Sequence, residues 1–496
     1  MLFLSVVIQG IFFVIVTCFA LYVILELRVV LISKNVKRKK LSKISLPPLD
    51  MGGGFFPKVS VLLPVCNESS VIERLIDSVC CMDYPPSQLE ILVLDDSADQ
   101  TTKMAADQVA RHAASGVNIR LLKRVDRHGF KAGNLIFGIQ YSSSDFVAIF
   151  DADFIPPADF LLKTIPCFKN EKLGFLQTGI GYVNRNTSFL TKFQAMEMGH
   201  QQFVTVGLSE DGDMASLSGS SCVWRRKCIE EIGGWDTSNI TEDVDIGYRA
   251  QFGDWQYAFV VDVVSLSELP ESVSAFRVQR ERWGRGLIHS AFKFVRQMLR
   301  KEMSVMHRLQ ALSVMFSSLL LASIYALIIL SLPLAWFMDF DGMLYRCGAV
   351  IFFVMVAVWV GSNFIGSHEG GRFAGKQGIF TTLIEMYAYV AMFLPMSWYY
   401  FVGGIRVLAG VYGEFNRTPK GAEASCTEQP HINSALFWGE IVTFFYSAAA
   451  LLVGVLEGNL VLVPFNFTAC VGFGMVIYWS WRESSSAKSS PQRLVL

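Results

Sequence analysis

Apolar and polar positions divide the chain into a mixed central region and two flanks that carry long apolar runs. From about Lys58 to Gln279, charged and apolar residues are mixed as they are in a soluble domain. The first apolar run, Met1 to about Leu27, is long enough to cross a bilayer, which requires roughly 20 residues. The pattern therefore predicts a soluble domain between membrane-spanning segments.

The N-terminal run has neither a basic start nor a small-residue cleavage site, so it predicts a membrane anchor rather than a cleaved signal peptide. The positive-inside rule places the basic residues that follow it in the cytosol. We therefore expect a transmembrane helix over residues 1–32, a basic cytosolic linker over 33–57 and a cytosolic domain over 58–283. The basic residues are Lys34, Lys37, Arg38, Lys39 and Lys40.

Five further apolar stretches follow the domain: Leu309–Phe337, Ala349–Phe364, Ile379–Val402, Ala435–Leu456 and Val461–Trp481. The third contains Glu385 and Pro395, and if it crossed the bilayer the cations after it would lie outside. If it lies in the interface, Arg417, Lys420 and the cations of the tail fall on the cytosolic side. We expect the interfacial or re-entrant arrangement, which leaves five spans, with the N-terminus outside and the C-terminus inside.

Composition and charge narrow the classes of partner. The pattern predicts an interfacial helix region over residues 284–308, a transmembrane region over 309–481 and a cytosolic tail over 482–496. The lipid bilayer is therefore one expected partner. The formal net charge is zero, which gives no indication of nucleic acid binding. The ten cysteines include no C-x-x-C pair, which argues against a zinc site or a disulfide framework and suits a reducing compartment.

Four short apolar runs within the domain predict buried β-strands. Stretches of helical length, Glu68–Cys81 and Thr101–Ser115 among them, separate these runs. Strands that alternate with helices predict an α/β fold with a mainly parallel sheet covered on both faces. The four runs are Val59–Leu63, Ile91–Leu94, Val117–Leu122 and Phe146–Phe150.

Acidic pairs follow two of these predicted strands. Asp95 and Asp96 come directly after the second, and Asp151 and Asp153 directly after the fourth. Ligands of open α/β sheets bind at the carboxyl ends of the strands, so both pairs are expected at one nucleotide-binding crevice. Asp95-Asp96-Ser97 also suits a helix N-cap, and the two interpretations are compatible.

The Asp151-Ala152-Asp153 motif predicts a site for Mg²⁺ or Mn²⁺. Residues at i and i+2 of an extended backbone point the same way, and these cations prefer carboxylate and phosphate oxygens. A bound cation would neutralise charge on a departing diphosphate. Lys131 is a further candidate partner of that diphosphate, although an isolated lysine is more often a solvated surface charge.

Two later motifs contain residues that could deprotonate or bind an acceptor molecule. A hydroxyl that attacks must lose a proton, and Glu242, Asp243 or Asp245 can accept it, although the tripeptide Thr241-Glu242-Asp243 is more often a helix cap. In a helix, Gln279, Arg282 and Trp283 share one face, where arginine suits a diphosphate and tryptophan stacks on a sugar ring. The alternative for this segment is an amphipathic helix on the membrane surface.

Taken in order, these motifs resemble the processive family 2 glycosyltransferases: cellulose synthase, cellulose-synthase-like mannan and glucan synthases, and hyaluronan and chitin synthases. The matching segments are Asn67-Glu68, Asp95-Asp96, Lys131-Ala132-Gly133-Asn134, Asp151-Ala152-Asp153, Thr241-Glu242-Asp243 and Gln279-x-x-Arg282-Trp283. Phe150–Phe154 and Glu268-Leu269-Pro270 are especially similar to the cellulose-synthase-like group. The resemblance implies a cytosolic GT-A domain, a Rossmann-like α/β fold, inserted between transmembrane helices.

The resemblance also implies a role for each motif. Asp243 would be the general base of an inverting transfer, with Glu242 beside it, and Asp151 and Asp153 would hold the diphosphate and metal. Trp283 and the loop with Gly219 and Ser220 would contact the acceptor. A gating loop near residues 411–432, with Thr418 and Lys420, would close over the nucleotide. Further donor contacts are implied for Glu68, Asp95, Asp96, Lys131, Asp151, Gln279 and Arg282.

One departure leaves the nucleotide open between UDP and GDP. Cys66 precedes the Asn-Glu pair, where family members usually carry an aromatic or polar residue.

Three functions remain to be compared. The first is a multi-pass synthase in the plasma membrane or Golgi that extends a β-linked glucan or mannan from a nucleotide-sugar and translocates it. The second is a single-addition transferase acting on a membrane lipid, similar to ceramide glucosyltransferases. The third is a non-catalytic sugar-binding or transport subunit, against which the retained base at Asp243 argues.

Overall fold

The computed structural model describes residues 2–39, 55–337, 343–371, 379–412, 434–459 and 461–489. The predicted gating-loop residues Thr418 and Lys420 lie outside these ranges. The strands are β1 (Val59–Val65), β2 (Leu89–Asp95), β3 (Ile119–Lys123), β4 (Phe146–Ile149), β5 (Leu173–Tyr182), β6 (Cys222–Arg225) and β7 (Gln256–Ser267).

The α-helices, in chain order, are α1 (Leu2–Lys39), α2 (Ile72–Cys80), α3 (Thr101–Ala114), α4 (Phe130–Gln140), α5 (Phe160–Thr164), α6 (Phe189–Asp211), α7 (Arg226–Glu231), α8 (Glu242–Phe252), α9 (Val273–Arg300), α10 (Val305–Met315), α11 (Ser317–Phe337), α12 (Met343–Gly371), α13 (Ile379–Leu408), α14 (Ser434–Leu456) and α15 (Leu462–Ser489).

The soluble domain is built on a seven-stranded sheet in the order β3-β2-β1-β4-β6-β5-β7. Strands β1 to β4 pair in parallel, and β5 pairs in parallel with β7. Strand β6 runs antiparallel to both of its neighbours. The predicted α/β domain with a mainly parallel sheet is therefore confirmed, and the four predicted strands are all present.

Both faces of β1 are buried, as its continuous apolar run predicted. Val61 and Leu63 belong to one core cluster, together with Leu75 of α2. Leu62, which points to the opposite face, packs in a second cluster with Leu135 of α4. This double burial fixes β1 at the centre of the domain.

The order of the strands creates a crevice at one edge of the sheet. The chain runs from β1 outward through β2 and β3, and then returns to β4 on the other side of β1. Such a reversal separates the loops that follow β1 and β4, and ligands bind in the crevice between them. The segments after β1, β2 and β4 carry Glu68, Asp96 and Asp151.

Six helices in the described ranges are long and apolar enough to cross a membrane. Their apolar windows are Val6–Val36, Ser317–Ala335, Tyr345–Ser367, Leu383–Leu408, Ala435–Leu456 and Leu462–Ser485. The chain is therefore a multi-pass membrane protein, as predicted. Two details differ from the prediction: α1 continues to Lys39, and the predicted stretch Leu309–Phe337 consists of two helices, α10 and α11.

The soluble domain and the membrane helices share an extensive interface. In α1, the Ser33 hydroxyl donates to the Phe203 carbonyl oxygen of α6 at 2.7 Å, and Ser367 of α12 donates to the Met196 carbonyl oxygen at 2.9 Å. Gly207 of α6 faces α1 so closely that a Cβ there would lie 2.5 Å from the Val29 carbonyl oxygen. The predicted domain boundary at residue 283 falls inside the continuous helix α9.

Candidate active site

A cavity of about 500 Å³ opens where the crevice meets helices α8 and α9. Its size suits a small-molecule substrate, since ligand pockets usually enclose about 300–1,000 Å³. Most of the residues that the sequence singled out line it. These are Glu68, Asp96, Lys131, Asp151, Asp153, Gly219, Glu242, Asp243, Gln279, Arg282 and Trp283.

Lys131 lies among the acidic side chains of the cavity. Its Nζ atom is 2.6 Å from Asp151 Oδ1 and 3.4 Å from Glu242 Oε1, and it donates to the Gly219 carbonyl oxygen at 3.0 Å. Burial by itself lowers the pKa of Lys131, but the neighbouring carboxylates outweigh burial and raise it. The alternative of a solvated surface lysine is therefore wrong.

Asp151 and Asp153 follow β4 and differ in their surroundings. The Asp151 side chain is 36% exposed and faces the cavity, while the backbone N–H of Asp151 donates to Ser220 Oγ at 2.8 Å. Asp153 is buried, and its Oδ2 accepts from the Ser267 hydroxyl at 2.5 Å and the Glu268 N–H at 3.3 Å. One oriented carboxylate and one open carboxylate fit the oxygen preference of Mg²⁺ or Mn²⁺.

Glu242 and Asp243 lie in the first turn of α8, on the far side of Lys131. Burial raises the pKa of Glu242 to about 7, and burial likewise raises the pKa of Asp243. Asp245, the third candidate base, pairs instead with Arg249 and Lys293 away from the cavity. Of the three candidate bases, Glu242 and Asp243 therefore line the cavity and Asp245 does not.

The loop before β6 brings Gly219 against these groups. A Cβ at Gly219 would lie 2.8 Å from Asp243 Cβ and 3.1 Å from Lys131 Nζ, closer than a side chain there can approach. Ser220 is buried and holds the Asp151 backbone, and it is not among the cavity-lining residues. Its position suits support of the metal-site segment better than the implied acceptor contact.

The two aspartates after β2 have separate positions. Asp95 is fully buried, with its carboxylate oxygens accepting from the Ser97 N–H at 2.8 Å and the Thr102 hydroxyl at 2.6 Å. Asp96 lines the cavity and accepts two hydrogen bonds from Arg124, each 2.7 Å long. Of the pair, Asp96 is thus the one placed to contact a donor, and Asp95 stabilises the loop beneath it.

Sequence reasoning missed Arg124 and Arg280. Arg124 follows β3, and a cation at the end of that strand is the signal that would have indicated it. Arg280 is buried inside α9, donates to Glu197 Oε1 of α6 at 2.7 Å, and lies 4.7 Å from the centre of the Trp283 ring. Residues 279–283 lie in helix α9, and Gln279, Arg282 and Trp283 all reach the cavity.

A second group of metal-ligand type is partly neutralised by an arginine of the chain. Asp211, Asp213 and His307 lie close together where α1, α6 and α10 meet. Arg28 of α1 forms ion pairs with both aspartates, including one of 2.9 Å to Asp213. The cluster therefore connects α1, the end of α6 and α10 through ion pairs.

Comparisons with known proteins identify the soluble domain. Residues 57–286 match the family model described as glycosyltransferase like family 2. The probable glucomannan 4-beta-mannosyltransferase 6 of Oryza sativa subsp. japonica is 37% identical over 243 residues, which are 48% of this chain and 42% of that protein. The chain thus matches less than half the length of this relative.

A solved structure shares the fold. The mannosyltransferase PcManGT from Pyrobaculum calidifontis, in complex with GDP-Man and Mn²⁺, superposes with a TM-score of 0.51 at 18% identity, covering 79% of this chain and 99% of that one. Residues 57–286 therefore match the family 2 glycosyltransferases, as the motifs predicted, and the predicted GT-A fold is confirmed.

Proposed function

We propose that this chain, which carries a family 2 glycosyltransferase domain, transfers a mannosyl residue from GDP-mannose to a growing β-linked polysaccharide with inversion. The observation that carries the proposal is the cavity itself. It joins a carboxylate pair suited to a metal-bound diphosphate, Asp151 and Asp153, to a partly buried base, Asp243, and to Trp283 as a sugar platform.

The mannose donor is favoured by the relative. The rice protein is named as a mannosyltransferase, and its similarity covers the length of a catalytic domain. Within the cavity, Asp96 and Glu68 line the side near β1 and β2, where a nucleotide would lie. Lys131 and Arg282 supply positive charge toward the diphosphate. A divalent cation at Asp151 and Asp153 would neutralise the charge that develops on the leaving nucleoside diphosphate.

The acceptor hydroxyl is deprotonated by Asp243 in this mechanism. The raised pKa of Asp243 suits this role, because a base works best when its pKa lies near the working pH. The Val244 N–H donates to Asp243 Oδ1 at 2.9 Å and holds the carboxylate in orientation. A single displacement of the diphosphate by the activated hydroxyl inverts the anomeric centre.

The membrane helices support translocation of the product. The cavity continues past Trp283 to Tyr22 and Glu26 of α1, His200 of α6 and Tyr400 of α13. A polymer that grows at Trp283 would therefore meet membrane helices as it lengthens. We assign the cytosolic side to the domain, as the basic residues at the C-terminal end of the first apolar run predicted.

A lipid acceptor is the second candidate. Val314 and Met315 of α10 and Ser317 of α11 also line the cavity, and α11 is one of the six candidate spans. Apolar side chains at this position suit an acyl chain. The polysaccharide is preferred because Trp283 and the polar groups beyond it suit a second sugar unit.

A donor screen tests the proposal. The purified full chain in lipid nanodiscs is given radiolabelled GDP-mannose, GDP-glucose or UDP-glucose with Mn²⁺, Mg²⁺ or a chelator. We expect metal-dependent transfer from GDP-mannose into a product that β-mannanase digests. Incorporation only into an organic-extractable lipid would favour the second candidate, and release of no nucleoside diphosphate from any donor would contradict both.

A further inference from the structure

A pair of buried polar side chains on helices α1 and α6 lines the cavity. Glu26 of α1 and His200 of α6 are each at least nine-tenths buried, and both line the cavity together with Tyr22. His200 Nε2 lies 3.3 Å from Glu26 Oε1. The mechanism proposed above uses neither residue.

The hydrogen bonds of this pair are incomplete. Glu26 accepts from the Tyr22 hydroxyl at 2.5 Å and from the Ser362 hydroxyl at 3.1 Å. Neither ring nitrogen of His200 has a hydrogen-bond partner within the described residues, since the approach to Glu26 lacks hydrogen-bond geometry. A buried polar atom without a partner costs free energy, so a ligand that supplies the missing partner is favoured.

The backbone makes room for the imidazole ring. Gly366 of α12 faces His200, and a Cβ there would lie 2.3 Å from His200 Nδ1. Three elements, α1, α6 and α12, therefore combine to hold a histidine ring at the cavity wall.

A continuous series of contacts joins this pair to the acceptor platform. The Trp283 ring lies 4.7 Å from the Arg280 guanidinium, which pairs with Glu197 at 2.6 Å. Glu197 and His200 are three residues apart on α6, so they share one face of that helix. An acceptor that stacks on Trp283 and extends toward the membrane helices thus approaches His200.

We propose that His200 and Glu26 bind a hydroxyl group of a neutral sugar unit of the acceptor, beyond the unit that stacks on Trp283. The inference rests on the proposed function and defines a further acceptor subsite. A sugar hydroxyl both donates and accepts, so it can satisfy one ring nitrogen and one carboxylate oxygen together. A neutral ligand suits this wall, because the Glu197 carboxylate is already paired with the Arg280 guanidinium and needs no charged group from the ligand.

The test compares His200→Leu with His200→Gln in the full chain in lipid nanodiscs, with saturating GDP-mannose and varied β-1,4-mannohexaose. His112→Leu is the matched control, because His112 of α3 also pairs with a carboxylate, Asp77 at 2.7 Å, but lies outside the cavity. We expect a rise of about tenfold in the acceptor KM for His200→Leu, as loss of one hydrogen bond predicts. The donor KM should stay unchanged, and His200→Gln should recover part of the loss.

An unchanged acceptor KM in His200→Leu, with a lowered thermal midpoint, would overturn the proposal. His200 and Glu26 would then only stabilise the packing of α6 against α1. If His200→Leu does not fold, His200→Gln and Glu26→Gln decide by the same measurement. If wild type transfers no sugar, the proposed function fails, and calorimetric binding of mannohexaose then tests the subsite. Binding weakened by His200→Gln supports it, whereas equal binding or no binding by wild type contradicts it.

Discussion

At the scale of single residues, Lys131 makes the acidic site possible. Asp151, Glu242 and Asp243 approach one another within the cavity, and like charges at such distances disfavour one another's ionised forms. Lys131 compensates through its contacts with Asp151 and Glu242. The sequence indicated Lys131 only as one candidate, because its partners lie far away along the chain and meet only in the folded domain.

We expect Lys131→Met to reduce kcat by about 100-fold, the usual cost of removing a preorganised charge from an active site. The expected cause is the loss of positive charge both from the carboxylates and from the departing diphosphate. Initial rates with GDP-mannose provide the measurement. Lys103→Met on the exposed side of α3 is the control, and equal rates for the two variants would contradict the assignment.

The pH dependence of activity follows from Glu242 and Asp243. Burial raises the pKa of Glu242 to about 7 and also raises that of Asp243, so protonation of this pair begins at higher pH than for ordinary carboxyl groups. A protonated base cannot accept the acceptor's proton, and kcat/KM should therefore fall as the pH decreases from about 8 to about 6. Glu242→Gln should move this fall to lower pH, because one carboxylate no longer opposes ionisation of the other. A fall in kcat/KM that begins only where ordinary carboxyl groups titrate would count against Asp243 as the base.

Other residues show what a sequence can and cannot assign. The pairs Asp95-Asp96 and Asp151-Asp153 were predicted at one crevice because each follows a recognisable strand, and Asp96, Asp151 and Asp153 line one cavity. The division between Asp95 in the loop and Asp96 at the cavity depends on contacts with Thr102 and Arg124, which no local pattern reveals. The same holds for Arg280, whose partner Glu197 lies on another helix.

At the scale of elements, the parallel half of the sheet was predictable and the remainder was not. Strands β1, β2 and β4 are mainly apolar runs, which a strand buried on both faces requires. Strand β6 ends in Arg225, and β5 contains Gly179 and Gly181, so neither is a continuous apolar run. Their places are fixed by pairing with distant strands, β6 with both β4 and β5.

The loop before β6 offers a test at this scale. Gly219→Ala would push a Cβ against Asp243 and Lys131, and we expect it to lower kcat about 100-fold, because small displacements at the reacting groups carry such costs. Thermal unfolding should change little. Gly253→Ala is the matched control, since a Cβ there meets its nearest atom at an ordinary 3.4 Å. Full activity in Gly219→Ala would show that this loop does not shape the site.

At the scale of the whole molecule, two membrane topologies are to be compared, which differ in whether α13 crosses the bilayer or lies in the interface. Its apolar window is 61% buried in the rest of the protein, against 22–39% for the other five windows. Its C-terminal half packs on α9, where Arg406 pairs with Glu281 at 2.9 Å and Gly284 approaches Tyr400. The C-terminal end of α13 therefore lies against the soluble domain's last helix, and the interfacial placement of α13 stays a prediction.

The interfacial placement leaves five spans and puts the two chain termini on opposite sides of the membrane. We therefore expect epitope tags at the N- and C-termini to differ in protease accessibility in sealed, oriented vesicles. The N-terminal tag should be cleaved only from outside the cell and the C-terminal tag only from the cytosolic side. Tags accessible from the same side would mean that α13 crosses the bilayer.

The central claim is that one cavity, closed by α9 and the membrane helices, performs glycosyl transfer with Asp243 as its base. Its most direct test is turnover of GDP-mannose by Asp243→Asn, which keeps the size of the side chain and an oxygen for the Val244 N–H. Asp262→Asn, at an exposed position of β7, is the matched control. We predict a loss of at least about 1,000-fold in mannosyl transfer, with GDP-mannose affinity retained and the control fully active. Transfer by Asp243→Asn at the wild-type rate would contradict the account.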